Sequence, residues 1–321
     1  MTTTTKTSVL ITGANGFVGS QLSTVAASHF LVTGAVRSVQ ALPANTNTVL
    51  IDTIDGNTDW RDALHGVNVV VHLAARVHVM NDHSVDPLSE FRKVNVEGTL
   101  NLAKQAAQAG VQRFVFISSI KVNGESTELG QPFHADDKPQ PMDAYGISKR
   151  EAEDALRQLA RDTGIEVVII RPPLVYGAGV KANFRSMMRW LDKGIPLPLG
   201  AIHNQRSLVA LANLVDLIIT CITHPAAANQ TFLVSDGEDL STSDLLRRMA
   251  NALGKSARLL PVSARLLQVG ATLLGKRAVA QRLCGSLQLD ISKTRQLLNW
   301  TPPVSVTDAL QKTANAYRSS L

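Results

Sequence analysis

Short runs of apolar, largely β-branched residues alternate with longer helical segments through the first half of the chain. The runs at 8–11, 31–36, 48–51, 67–73, 113–118 and 166–170 predict strands, and the segments 17–28, 89–109 and 145–163 predict helices. The run at 67–73 is apolar almost throughout, which is typical of a strand buried on both faces. Because strands that alternate with helices form βαβ units, the pattern predicts a doubly wound α/β fold with a parallel sheet.

The pattern becomes less regular after the Arg-Pro-Pro sequence at 171–173. Prolines interrupt this region at Pro172, Pro173, Pro196 and Pro198. Beyond them, apolar periodicity predicts helices at 208–223, 240–253 and 264–274 and a strand at 231–234. We therefore expect a regular α/β half followed by a smaller, mixed lobe.

A glycine-rich turn, TGANGFVG at 12–19, connects the first predicted strand to the first predicted helix. Gly13 would let the chain turn off the strand, Gly16 would let the backbone approach a pyrophosphate, and Gly19 would let the helix pack closely on the sheet. A helix N-terminus also offers free backbone N–H groups to phosphates. The turn therefore predicts a dinucleotide site with contacts from Gly13, Asn15, Gly16, Phe17, Val18 and Gly19.

The end of the second predicted strand bears on which dinucleotide binds. In this kind of site an acidic residue commonly bonds the ribose 2′-hydroxyl of NAD there. Here the strand ends in AVRS at 35–38, without an acid. Arg37 would instead meet a 2′-phosphate or stack on the adenine, which favours NADP(H). NAD(H) stays possible if Arg37 is only a surface side chain.

Residues 1–178 are thus predicted to form a Rossmann-like NAD(P)-binding domain. Residues 179–321 would form a smaller C-terminal α/β lobe that binds substrate, with elements at about 205–235 returning to the first sheet. The two cysteines, Cys221 and Cys284, have no metal-ligand spacing and cannot form a disulfide framework. This favours the reducing cytoplasm and no metal site, and the threonine-rich start lacks the apolar core of a signal peptide.

Tyr145 and Lys149 lie four positions apart, on one face of the third predicted helix. A phenol has a pKa of about 10 in water, and a neighbouring ammonium favours its ionised form. Tyr145 would then act as an acid or base near neutral pH. Ser119 follows the fifth predicted strand, where its hydroxyl would hydrogen-bond the same substrate oxygen.

Together these motifs resemble the extended short-chain dehydrogenase/reductases, in particular the NAD(P)-dependent epimerase/dehydratase family that acts on nucleotide sugars. The resemblance covers nearly the whole chain. Besides the three glycines it includes VHLAA at 71–75, NVEGT at 95–99, SS at 118–119, YGISK at 145–149, RPPLVYG at 171–177 and LNWTP at 298–302.

The resemblance implies a role for each matching position. Ser119, Tyr145 and Lys149 would form the catalytic triad, with Asn95 supporting it. Lys149 would also bond the nicotinamide ribose. Further cofactor contacts would come from Asp52, Leu73, Ala74, Ala75 and Pro172.

The substrate implied by the resemblance is a UDP-sugar. Asn183 and Phe184 would contact the sugar nucleotide, and Arg206 would grip its diphosphate. Arg282 would be a second diphosphate ligand or else a solvated helix residue. Lys121 would either bond the substrate or point to solvent.

The residues after Ser119 bear on the reaction. The family's 4,6-dehydratases have Asp and Glu there, whereas this chain has Ile120 and Lys121, which argues against a dehydratase. Two activities remain: C4 reduction of a 4-keto sugar by NAD(P)H, and C4 epimerisation with tightly bound NAD. A non-catalytic NADP-binding sensor or scaffold is disfavoured because the triad is complete.

Reduction is the favoured activity, since no acid follows the second predicted strand. The runs FISSIKVN at 116–123 and VKANF at 180–184 also resemble a subgroup that reduces a UDP-4-keto-6-deoxy-N-acetylhexosamine. The product would be a UDP-6-deoxy sugar of the UDP-N-acetylquinovosamine type, used for O-antigen or other surface polysaccharides. The alternative is a 4-epimerase of UDP-hexoses or UDP-N-acetylhexosamines.

Charge is unevenly distributed along the chain. The net charge is +6, yet residues 240–321 contain 12 Lys and Arg against 3 Asp and Glu. A basic region suits a phosphate-bearing small molecule, an acidic membrane surface or nucleic acid. Nucleic acid is disfavoured because aromatic residues are only 4% of the chain and no nucleic-acid-binding signature is present.

The helix predicted at 264–274 has Arg265, Lys276 and Arg277 at its edges. It would be a core helix of the substrate lobe, the favoured interpretation, or it would rest on a membrane. The family resemblance also implies a homodimer formed through the helices at 89–109 and 145–163.

Overall fold

A computed structural model describes residues 6–38, 42–43, 45–77, 86–275 and 277–320, so residues 1–5 and Lys276 lie outside the described part. The strands are β1 (Ser8–Thr12), β2 (Leu31–Val36), β3 (Thr46–Leu50), β4 (Val69–His72), β5 (Arg113–Ile117), β6 (Glu166–Arg171), β7 (Leu174–Tyr176), β8 (Arg206–Ala210), β9 (Thr231–Leu233) and β10 (Asp239–Leu240). The helices are α1 (Phe17–Ala26), α2 (Arg61–Leu64), α3 (Pro87–Arg92), α4 (Thr99–Gln108), α5 (Ala144–Thr163), α6 (Ala182–Asp192), α7 (Leu211–Thr223), α8 (Thr242–Ala252), α9 (Ala264–Leu273), α10 (Arg277–Cys284), α11 (Ser292–Leu298) and α12 (Val306–Arg318).

The central sheet has the strand order β3-β2-β1-β4-β5-β6-β9, and its neighbouring strands are parallel. The predicted Rossmann-like α/β fold is therefore confirmed. The strand order reverses between β1 and β4. In open α/β sheets, ligands bind outside the carboxyl ends of the strands at such a reversal.

Both faces of the central sheet are buried, which explains why its strands are so apolar. Successive residues of β1 point to opposite faces. Val9 and Ile11 lie in one hydrophobic cluster, which includes Leu214 and Ile218 of α7. Leu10 lies in the other cluster, which is built largely from α4 and α5.

A second hydrophobic core lies around a small sheet in the order β10-β8-β7. Strand β8 is parallel to β7 and antiparallel to β10. Helices α6, α8 and α12 contribute apolar side chains to this core, among them Met188, Leu246 and Leu310. Strand β9 instead joins the central sheet, and α7 packs against α1. After β8, the chain therefore returns to the central sheet through α7 and β9.

Three predicted helices were wrong in their extent or surroundings. Residues 208–210 belong to β8 and not to a helix. The run at 208–223 is largely apolar, so its periodicity does not separate a strand from a helix. The segment at 89–109 is divided by a π-helical turn at Lys93–Gly98. The helix at 264–274 is not a core helix, because none of the residues of α9 is fully buried.

A buried ion pair joins α5 to the central sheet. Arg171, the last residue of β6, donates from Nε and Nη2 to the two carboxylate oxygens of Glu153, at 2.9 and 2.6 Å. Ser118, directly after β5, donates its hydroxyl to the same carboxylate at 2.6 Å. Burial alone would raise the pKa of Glu153. Arg171, together with the hydroxyl of Ser118 and the charge of Arg157, outweighs burial and lowers it.

We predict that Arg171→Met lowers the free energy of unfolding by about 3–5 kcal/mol, because it leaves a buried carboxylate without its main partner. Urea unfolding at neutral pH measures the loss, and the double variant Glu153→Gln/Arg171→Met should recover much of it. The pair's contribution is complete above about pH 4.5, the ordinary pKa of the group, and is lost as pH falls through the lower folded value. Equal stability of the single and double variants would contradict the prediction.

Candidate active site

The glycine-rich turn after β1 has the geometry that a dinucleotide phosphate requires. Gly13 has a φ of +68°, and a Cβ there would lie 3.1 Å from the backbone nitrogen of Ala74. A Cβ on Gly19 would lie 2.1 Å from the carbonyl oxygen of Gly13, so only glycine allows α1 to begin this close to the turn. Helix α1 follows Gly16 without a side-chain cap, which leaves its N-terminus suited to an anion.

The segment after β4 lies against this turn. The backbone nitrogen of Ala74 donates to the hydroxyl of Thr12 at 3.2 Å, and the same hydroxyl lies 2.7 Å from Nδ1 of His72. Burial, and next the charge of Lys149, lowers the pKa of His72 to about 3, so its imidazole is neutral. These bonds hold the half-buried residues Leu73, Ala74 and Ala75 beside the glycine turn, where the sequence placed cofactor contacts.

The other expected cofactor residues occupy the same edge of the sheet. Asn15 lies in the turn and is exposed, and Phe17 and Val18 in the first turn of α1 are half-buried. Arg37 follows β2 and Asp52 follows β3, both with exposed side chains. Since β2 and β3 are parallel neighbours, both residues lie at the carboxyl edge beyond β1.

The expected triad residues lie at the meeting point of α5 and the carboxyl end of β5. Asp143 caps α5 by accepting from the backbone nitrogen of Gly146 at 2.7 Å, which places Tyr145 in the first turn. One turn later, Lys149 is buried and donates to the carbonyl oxygen of Ile117 at 2.8 Å. Ser119 is half-buried and begins the short helical turn Ile120–Val122.

Burial changes the proton affinity of both Tyr145 and Lys149. It lowers the pKa of Lys149 to about 7, although Glu153 opposes the change. Burial, and next the charge of Asp143, raises the pKa of Tyr145 to about 12. In the protein without cofactor, burial therefore opposes the expected effect of Lys149 on the pKa of Tyr145, because it also lowers the pKa of the lysine and weakens its charge.

Asn95 holds two parts of the site together from within the π-helical turn. Its side chain accepts from the backbone nitrogen of Arg76 at 2.8 Å and donates to the carbonyl oxygen of Arg76 at 3.0 Å. It also donates to the hydroxyl of Ser148 on α5 at 3.0 Å. The π turn therefore directs Asn95 between the segment after β4 and the helix that carries Tyr145.

Lys121 is half-buried, and its ammonium pairs with two carboxylates instead of pointing only to solvent. Its Nζ bonds the carboxylate of Asp143, and it donates to Glu125 at 2.8 Å. Burial would lower the pKa of Lys121, but these two carboxylates outweigh it and raise the pKa. Lys121 thus neutralises charge beside Tyr145.

The expected substrate residues divide into two groups. Arg206, at the start of β8, donates to the carbonyl oxygen of Gly285 at 2.9 Å. Burial lowers the pKa of Arg206, and the charge of exposed Arg282 on α10 lowers it further, although Glu125 opposes both. The two guanidinium groups are therefore close enough to interact, an arrangement that an anion would stabilise.

The other expected site residues, which include the cofactor contact Pro172, differ in their exposure. Phe184 is buried in the second core, where its ring stacks on Tyr176 with the centroids 5.4 Å apart. Its ring is therefore not presented to a ligand, in contrast to the expectation. Asn183 is exposed on α6, and Pro172 is buried, with its carbonyl oxygen accepting from the backbone nitrogen of Ile120.

The sequence patterns did not point to two residues that hold α5 in place. Glu153 lies four residues after Lys149, so helical spacing alone places it on the same face as Tyr145 and Lys149. Asp143 directly precedes α5, where an aspartate is a favoured cap. Among the described residues, no group of three His, Cys, Asp or Glu side chains is arranged to hold a metal ion.

The sequence of residues 9–235 matches the NAD dependent epimerase/dehydratase family. The chain belongs to this family. A UDP-glucose 4-epimerase of Vibrio cholerae is 51% identical over 314 residues, covering 97% of this chain and 95% of the relative. The family assignment confirms the prediction of an NAD(P)-dependent enzyme of the extended short-chain dehydrogenase/reductases.

Solved structures of epimerase/dehydratase proteins share the fold. The UDP-N-acetylglucosamine 4-epimerase of Bacillus cereus is 21% identical, with a TM-score of 0.79 and coverage of 97% of this chain and 99% of its own. The UDP-glucuronic acid 4-epimerase of Bacillus cereus in complex with NAD is 20% identical, with a TM-score of 0.75 and the same coverage. At these identities the likeness concerns the fold.

Without cofactor, we expect the free energy of unfolding of the wild type to increase with pH because of Lys149. We predict that Lys149→Met removes this increase. The pKa of Lys149 is about 7 in the folded protein and 10.5 ordinarily. Between these two pH values, the unfolded chain therefore binds one proton more than the folded protein. The free energy of unfolding of the wild type relative to the variant should therefore rise by about 1.4 kcal/mol per pH unit. Urea unfolding from pH 7 to 10 measures it, with Lys138→Met, an exposed site, as control. A flat difference would mean that Lys149 stays charged.

Proposed function

We propose that this enzyme is a UDP-hexose 4-epimerase, which inverts C4 of a UDP-linked sugar such as UDP-glucose. The observation that carries the proposal is the 51% identity to the Vibrio cholerae UDP-glucose 4-epimerase over 97% of this chain. The proposal replaces the C4 reductase favoured from the sequence with its alternative. Ile120 and Lys121, where the dehydratases have carboxylates, also agree with it.

In the proposed reaction, Tyr145 accepts the proton of the C4 hydroxyl and later returns it, while Ser119 hydrogen-bonds the same oxygen. Bound nicotinamide would supply the hydride acceptor and donor and, when oxidised, a positive charge. Since the pKa of Tyr145 is about 12 in the protein alone, positive charge is needed for Tyr145 to act as a base near neutrality. Lys149, buried one helical turn away, would contribute when it is protonated.

Arg37 is the observation that favours the second candidate, a C4 reductase with exchangeable NADPH. It lies exposed at the carboxyl edge of the sheet, where no acidic residue follows β2. Four further points stay predictions: the preference for NADP(H), the homodimer, the cytoplasmic location and the domain boundary at 178.

One experiment separates the two candidates. We expect the purified enzyme to convert UDP-glucose or UDP-N-acetylglucosamine to its C4 epimer with no net change in reduced cofactor, and to release NAD on denaturation. Tyr145→Phe should lower turnover by at least about 100-fold with cofactor retained, because only the transferable proton is lost. Stoichiometric loss of NADPH with a UDP-4-keto-6-deoxy sugar, and no epimer, would instead establish the reductase.

We predict that Arg206→Ala weakens binding of UDP by roughly tenfold or more, because a charge-assisted phosphate contact is lost. Arg206→Lys, which keeps the charge, should lose less. Calorimetry with UDP measures both, and Arg248→Ala in the same lobe, where Arg248 pairs with Glu238, serves as the control. Unchanged affinity in Arg206→Ala would place the diphosphate elsewhere.

A further inference from the structure

The outer side of α9 carries an apolar stripe that faces solvent. Leu266, Val269 and Leu273 are spaced as one face of a helix and are 67%, 59% and 83% exposed. Leu274 at the end of α9 and Val279 on α10 extend the stripe, at 75% and 52% exposed. We refer to these five side chains as the α9–α10 face.

The opposite side of α9 anchors it to the protein. Ala264 and Leu267 pack against the second core, together with Leu283 and Cys284 of α10. An apolar groove of 310 Å³ lies between α9 and α10, with Leu266, Leu274 and Val279 among its lining residues. Monomeric soluble proteins rarely expose a continuous apolar patch of this kind without a partner.

The charge around the α9–α10 face indicates what the partner is. Residues 245–289 contain eight Lys and Arg and no Asp or Glu. Three of the eight pair with acids from outside this segment: Arg247 with Asp244, Arg248 with Glu238 and Lys255 with Asp192. Among those described with their side chains, Arg258, Arg265 and Arg282 are exposed. A surface that combines apolar side chains with exposed cations is typical of helices that lie in the interface of an anionic bilayer.

We propose that the α9–α10 face docks this enzyme on the surface of an anionic lipid bilayer. The apolar side chains enter the headgroup boundary, and Arg258 and Arg265 contact lipid phosphates. Within the described ranges, no helix is long and apolar enough to cross a membrane, so the contact would be peripheral.

A second copy of this chain is a poorer occupant than a bilayer. Two-fold association through the α9–α10 face would bring identical cationic segments together, and neither segment carries an acid to offset the repulsion. Anionic headgroups remove the same repulsion. The charge pattern therefore favours lipid over self-association.

The test is co-sedimentation of the full chain with two kinds of vesicle, phosphatidylcholine alone and phosphatidylcholine mixed with phosphatidylglycerol. We expect binding to the mixed vesicles, little binding to phosphatidylcholine, and weaker binding at high salt. The triple variant Leu266→Gln/Val269→Gln/Leu273→Gln should lower partitioning by about tenfold or more. Leu31→Gln/Leu50→Gln changes two residues of similar exposure on β2 and β3 and should bind like the wild type.

A second variant tests the charge. Arg258→Gln/Arg265→Gln should weaken binding to the phosphatidylglycerol vesicles and remove part of the salt dependence. Thermal unfolding checks that each variant is folded. The proposal is overturned if the wild type does not bind the mixed vesicles, or if the triple variant binds them as well as the wild type. It is also overturned if the triple substitution only converts a dimer to a monomer in ultracentrifugation, since a second copy would then cover the face.

Discussion

The carboxylate of Glu153 is fully buried, and its pairing with Arg171 determines where α5 lies on the central sheet. Arg171 extends the connection by donating to the side-chain oxygen of Asn123 at 2.9 Å. Ser118 joins from the end of β5. One charged group therefore links α5, two neighbouring strands and the segment after Ser119. Because α5 carries Tyr145 and Lys149, the position of these proposed catalytic residues also depends on this pair.

The centre of the site is apolar, and charge is kept at its margin. Lys149 lies 4.4 Å from the ring centroid of Phe116, which also stacks with His72. Burial lowers the pKa of both Lys149 and His72, so a unit of positive charge is costly there. Lys121 instead offsets Asp143 at the start of α5. In such surroundings the pKa of Tyr145 is sensitive to any charge that a bound ligand brings, because little water screens it.

Local patterns in the sequence predicted the parts of the fold and site that depend on local geometry. The glycine turn, the strand and helix alternation, and the spacing of Tyr145 and Lys149 each lie within a few residues. Contacts between distant segments were not predictable in the same way. Lys121 meets Asp143, 22 residues away, and Phe184 is buried in the second core, which also contains Leu246 and Leu310. A motif match identifies a residue, but only the tertiary contacts show whether its side chain is available.

The distinction between epimerase and reductase is of the same kind. Both activities would use the same proposed triad, so Ser119, Tyr145 and Lys149 do not separate them. An epimerase must also let the keto sugar rotate, so that its other face meets the cofactor, while the nucleotide stays bound. Arg206 and Arg282 belong to the small sheet and α10, whereas the triad residues belong to α5 and the end of β5. Anchoring the diphosphate on one unit and the chemistry on another would leave the sugar free to rotate about the bonds between them, which is the movement that inversion at C4 requires.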